Sequence, residues 1–136
     1  MRSVRLVHRS ARLAGDAKSD GDAGPDIDGP EPTVLADDVD VARSTLEQGR
    51  GLMFRRAVPD GYALVFPFEE ADAQWLHMLF VPFAIDALWL VEGEVRKRKR
   101  LAPFVGLGRG RADTVVELPA GAAADVGVGD EVRLVE

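Results

Sequence analysis

Hydrophobic and polar positions alternate in short runs along most of this chain, a period that belongs to strands rather than helices. Val4 and Leu6 share one side of residues 2–9, with Arg5 on the other, and read as a first strand. Val34–Ala36 and Val39–Ala42 form two short runs around Asp37-Asp38. Tyr62, Leu64, Phe66 and Phe68 line one face of a strand over 62–68. Residues 74–80 and 83–91 supply two more. The second is apolar on both faces and belongs at the centre of a sheet. Glu92-Gly93 turns tightly into a strand over 94–101, and a glycine-rich loop is expected over 102–110. A strand over 113–118, a turn at Pro119-Ala120-Gly121 and a last strand over 132–135 close the chain. One helix start stands out. Ser44-Thr45-Leu46-Glu47 is a capping box, in which Ser44 and Glu47 each accept from the other's backbone amide, and Gly51 ends the helix about 45–50. The pattern predicts a mainly β domain, either a small barrel or a two-layer β-sandwich, with one or two short helices.

Composition narrows the picture. The 136 residues suit a single domain over 1–136 with a real core. There is no cysteine, and the two histidines are His8 and His77, so thiol chemistry and a histidine-rich metal site are excluded. Residues 15–32 are rich in Gly, Pro and Asp and read as an acidic flexible loop inside the domain. Asp20, Asp22, Asp26 and Asp28 do not follow the spacing of a calcium-binding loop. The net charge of -6 is uneven: residues 16–40 carry nine acids against Lys18. This acidity predicts little affinity for nucleic acid or for anionic membrane. The arginine and aspartate bias fits a salt-adapted or GC-rich source. The most apolar stretch, 75–91, is broken by His77, Pro82 and Asp86 and does not read as a membrane span. Residues 1–12 are basic without an apolar run behind them, so no secretory signal is expected and the cytoplasm is the expected location.

A series of segments resembles a known family. Arg50-Gly51-Leu52-Met53-Phe54-Arg55, Leu64-Val65-Phe66, His77-Met78 with Ile85-Asp86, Glu117-Leu118-Pro119-Ala120-Gly121 and Gly129-Asp130 follow in the order and spacing of domain of unknown function 192. The resemblance covers residues 33–136. Where that family commonly has Trp-Met-Lys-Asn, this chain has Trp75-Leu76-His77-Met78-Leu79. The resemblance implies a compact, mainly β fold and no particular activity.

Candidate chemistry gathers around Asp86, a carboxylate inside an apolar strand. Such a group must be paired, hydrogen-bonded or protonated. Arg50, Arg55, His77 or backbone amides are the expected partners, and a two-residue connection at Val81-Pro82 would set His77 opposite Asp86. Trp75, His77, Asp86, Glu117, Arg50 and Arg55 are the candidate ligand-binding residues. Glu117 also reads as the outward member of an alternating strand. No catalytic residue, metal ligand or cofactor loop is assigned, since no activated nucleophile or phosphate-binding motif is present. Residues 96–100 (RKRKR) form the one basic run, with Arg109 and Arg111 nearby, and read as a charged edge strand or an anion-binding patch. Three functions follow. The favoured one is a non-catalytic domain binding a small molecule or protein in a pocket near Asp86. The alternatives are a hydrolase-like enzyme using His77 and Asp86, and a weak anion or nucleic-acid binder through residues 96–111.

Overall fold

The computed structural model describes residues 4–11 and 31–136. The expected flexible loop over 15–32 lies outside them, apart from its last two residues. Among the described residues there are eight strands and one short helix: β1 (Arg5–Arg9), β2 (Thr33–Ala36), β3 (Asp38–Val41), α1 (Thr45–Arg50), β4 (Tyr62–His77), β5 (Ile85–Val91), β6 (Glu94–Leu101), β7 (Leu107–Pro119) and β8 (Glu131–Val135). The fold is mainly β, as the alternation predicts. No helix among the described residues is long and apolar enough to cross a membrane.

The strands form one open sheet in the order β2-β1-β8-β6-β5-β7-β4-β3. The closed barrel is therefore corrected: β2 and β3 are edges without a ladder between them. Yet these two edges are halves of one run of chain, Thr33 to Val41, interrupted at Asp37. Asp37 and Asp38 both donate their amides to Gly61 O at 3.0 Å, so the run passes from one edge to the other over a fixed point. β2 lies antiparallel to β1, and β3 lies parallel to β4. The sheet must curl for one short segment to reach both edges.

Both faces of the central strands are covered, which explains the unbroken apolar run at 87–91. On one face Leu64, Phe66, Ile85, Ala87, Trp89 and Val115 pack together. On the other, Leu6, Val65, Leu88, Leu90, Val116 and Leu118 do so. Trp89 is fully buried, and its indole N–H donates to Gln74 O at 3.0 Å. Its ring lies across β7. A Cβ on Gly108 would sit 2.7 Å from it, and one on Gly110 would sit 2.9 Å away. The glycines at 108 and 110 therefore belong to a strand crossed by an aromatic ring, and not to the loop expected over 102–110.

Two more expectations change. β4 is one long strand where two were expected. Its pairing with β7 slips between Pro67 and Asp72, because proline has no amide to give to the ladder. β4 and β5 are not neighbours, since β7 lies between them. Residues 78–84 are thus a crossover connection, and His77 pairs with Leu107, not Asp86. The helix start and the 92–93 turn hold. Ser44 Oγ accepts from the Glu47 amide at 3.0 Å, and Glu47 Oε1 accepts from the Ser44 amide at 3.2 Å. Glu92 and Gly93 both take positive φ, as a two-residue hairpin turn of the favoured hand requires.

Candidate functional site

The end of α1 lies over the Leu64–Phe66 face of the sheet. Gln48 Nε2 holds it there by donating to Ala42 O at 3.0 Å and Pro67 O at 2.9 Å. Gly51 stops the helix at φ 51, a backbone state that glycine adopts without strain. A Cβ there would meet the Phe66 ring at 3.5 Å and Glu117 Oε1 at 3.8 Å, so the helix end closes directly onto Glu117. Between them lies a cavity of about 170 Å³, lined by Gln48, Arg50, Gly51, Phe66, Trp75, His77, Met78 and Glu117, among others.

Glu117 is the chemically unusual group in this wall. It sits in register between Leu64 of β4 and Ala87 of β5, and only 5% of it is exposed. Its Oε1 is buried with no hydrogen-bond partner among the described residues. Burial pushes its carboxyl up to about 8, against the pull of the Arg55 guanidinium. The expectation of an outward-facing Glu117 is corrected: both faces of β7 are covered here, so alternation has no solvent side.

Asp86 is also buried, at 2% exposure, but on the opposite face with Leu88 and Leu90. Its Oδ1 accepts from Arg100 Nε, and its Oδ2 accepts from the amides of Gly121 and Ala123 at 2.9 and 3.0 Å. These bonds tie the 119–126 turns against the second core, where Ala123 and Val126 pack. Asp86 does not line the cavity, and neither Asp86–His77 nor Asp86–Glu117 is a pair. The backbone amides were among its expected partners; the arginine is Arg100 rather than Arg50 or Arg55.

The other candidates divide in two. Arg50, Trp75 and His77 join Glu117 at the cavity. His77 is exposed, and its Nδ1 accepts from the Leu79 amide at 3.2 Å. Trp75 is exposed under the Arg109 guanidinium, 5.2 Å from the ring centre. Arg55 borders an adjoining depression that shares Arg50 and Gly51 with the cavity. It lies over the Tyr62 ring at 5.1 Å and 4.0 Å from Asp40. Tyr62 donates to Asp40 at 2.9 Å, and burial together with that bond pushes the phenol up to about 12. Gln48, Gly51 and Phe66 were not singled out as site residues. A helix-ending glycine following an amphipathic turn, facing an inward aromatic on β4, was the available signal.

The basic run of β6 is mostly engaged within the fold. Lys97 and Lys99 donate to carbonyls of Arg109 and Leu107 on β7. Arg98 donates to Ala123 O at 2.9 Å, and Arg100 holds Asp86. The edge-strand expectation is corrected, since β6 lies between β8 and β5 in the sheet, with a single pair, Glu94 opposite Glu131, on the β8 side. No group of acids and histidines among the described residues could hold a metal ion.

Fold and cavity define a mainly β domain with a single curled sheet and a small pocket under the short helix α1. Residues 28–134 match the family catalogued as domain of unknown function 192, described as "Uncharacterized ACR", and the chain belongs to that family. Two crystal structures share the fold. One is a candidate transcription regulator from Sinorhizobium meliloti, 20% identical, with a TM-score of 0.68 over 97% of this chain and 92% of that one. The other is a protein of unknown function from Novosphingobium aromaticivorans, 20% identical, with a TM-score of 0.70 over 96% of this chain and 84% of that one. No functionally curated protein is significantly similar to the chain.

Proposed function

We propose that this protein is a non-catalytic binding domain whose small-molecule ligand enters the cavity between the end of α1 and Glu117. The observation that carries this reading is the unpartnered Glu117 carboxyl. An unmatched buried polar atom costs about 1–3 kcal/mol, which a ligand able to hydrogen-bond to it would relieve. With its carboxyl raised to about 8, Glu117 is mainly protonated at neutral pH. It then offers one O–H donor and one C=O acceptor side by side. The complementary ligand carries an adjacent acceptor and donor, as in a primary amide, a lactam or a pyrimidine-like ring. Trp75 and Phe66 supply flat apolar walls beside it.

The hydrolase reading has less support. Its two residues lie apart, with Asp86 fixed on the other face by three hydrogen bonds. The lining residues include no serine, threonine, cysteine or lysine that Glu117 or His77 could activate. Ligand-observed NMR with a panel of small amides, lactams and pyrimidine-type heterocycles, beside matched carboxylates, tests the proposal. The amide-edged compounds should bind and the carboxylates should not. Binding should weaken in Glu117→Leu and in Trp75→Ala. Compounds that bind equally to the parent and to Glu117→Leu would contradict it.

A further inference from the structure

Beside the cavity lies a second feature. Three connecting loops, 51–61 after α1, 78–84 after β4 and 102–106 after β6, are bonded to one another. Phe54 donates its amide to Phe80 O at 2.8 Å, Phe104 to Val81 O at 2.9 Å, and Met78 to Gly106 O at 3.1 Å. The tips of these loops are apolar and exposed: Leu79, Phe80 and Phe104, with Phe54 at 63% and Val105 at 79%. Trp75 and Leu107 extend the patch along β4 and β7. Seven of the ten exposed large hydrophobics among the described residues fall in this patch, and a cluster of this kind marks an interaction site.

The backbone singles out the same three residues. Phe54, Phe80 and Phe104 have φ of 68°, 61° and 63°, and among the described residues three of the four non-glycine residues with positive φ are thus these phenylalanines. A bulky residue is strained in that region, where glycine or asparagine would be at ease. Strain accepted three times to present a phenylalanine to solvent points to a use for the exposed rings.

Charge identifies the partner. Residues 50–58, 75–85 and 99–109 contain no aspartate or glutamate, although the chain is net -6. They contain six cations: Arg50, Arg55, Arg56, Lys99, Arg100 and Arg109. Arg55 and Arg100 are paired with Asp40 and Asp86. Arg50, Arg56, Lys99 and Arg109 have no carboxylate partner among the described residues. We propose that this loop cluster docks on the surface of an anionic lipid bilayer, with the phenylalanine, leucine and valine tips in the acyl boundary and the cations at the headgroups. Apolar tips beneath a basic rim are the complement of such an interface. The expectation of no membrane partner rests on the summed charge and on spanning segments, and the sum conceals this segregation.

Other macromolecules fit less well. Phe54 and Phe80 stack on each other at 4.9 Å, and Arg109 covers Trp75, while Leu79 and Val105 have no ring to offer a base. A docking peptide uses a groove or a free sheet edge; these are loop tips whose backbone is bonded loop to loop, the condition a hydrocarbon boundary demands.

Flotation of the full chain with phosphatidylglycerol–phosphatidylcholine vesicles, and with phosphatidylcholine vesicles alone, tests the proposal. The chain should float with the anionic vesicles, be released as salt is raised, and float weakly with the neutral ones. The combined variant Phe54→Asn, Phe80→Asn, Phe104→Asn places at each strained position a residue suited to it, so thermal unfolding should show a folded protein. Its vesicle affinity should fall at least about tenfold. A parent chain that stays with the soluble fraction overturns the proposal. So does a folded triple variant that floats like the parent, a single-stranded oligonucleotide that binds the patch while vesicles do not, or sedimentation showing a dimer of the parent that the triple variant loses in the absence of lipid.

Discussion

Two buried carboxyls lie on adjacent strands of this sheet, one on each face, and their surroundings differ. Asp86 has an arginine and two backbone amides around its oxygens. Glu117 has a small cavity, the end of a helix and an oxygen without a partner among the described residues. The first arrangement closes a surface, because the bonds hold the 119–126 turns down on the second core. The second leaves a polar group unmatched beside open space. A buried acid is thus an ambiguous sign of function until its partners are known. Here the satisfied one is structural and the unsatisfied one is the candidate for binding.

The largest expected effect comes from breaking the satisfied side. Asp86→Ala strands two buried amides, and the folded state should lose about 3–5 kcal/mol in chemical denaturation. Asp86→Asn keeps one acceptor for those amides and should lose less. In neither case should ligand binding at the cavity change per folded molecule. A variant as stable as the parent would show that the turn is held by packing alone.

Next comes the unsatisfied side, where the effect has the opposite sign and depends on pH. Below pH 4.5, the ordinary value for glutamate, the Glu117 carboxyl is protonated in both the folded and unfolded chains. Between 4.5 and about 8 the unfolded chain releases that proton and the folded chain keeps it, so stability from this group falls as pH rises and is lost above about 8. Glu117→Gln removes this dependence. It should be close to the parent at pH 4 and more stable at pH 9, by at most about 5 kcal/mol. Equal stability of the two proteins across that range would break the contrast.

A smaller effect tests the close packing on the cavity face. Gly108→Ala sets a methyl 2.7 Å from the Trp89 ring and should cost about 1–3 kcal/mol by overpacking. Smallest is the helix that covers the cavity. Ser44→Ala removes the acceptor for the Glu47 amide and should cost about 1 kcal/mol. Since α1 supplies Gln48 and Arg50, ligand affinity should fall with it.

Much of this was legible along the chain. Period-two alternation marked nearly every strand, and the capping box marked α1, because both depend on neighbours within a few residues. The burial of Asp86 was also readable from its apolar flanks. Strand order was not. Placing β7 between β4 and β5 depends on a long-range pairing that leaves no local sign, and without it His77 and Asp86 looked like partners. The same gap hid Glu117: its alternating segment reads like any half-exposed strand unless a second layer is known to cover it. The glycines at 108 and 110 looked like a loop because the ring that requires them, Trp89, belongs to another strand.

The titration of Glu117, followed by carbon NMR of its side-chain carboxyl and assigned by comparison with Glu117→Gln, tests the central contrast most directly. A midpoint near 8 is expected, moving when an amide-edged ligand fills the cavity. A midpoint at the ordinary glutamate value of 4.5, unmoved by any such ligand, would mean that this carboxyl is solvated or paired, and would contradict it.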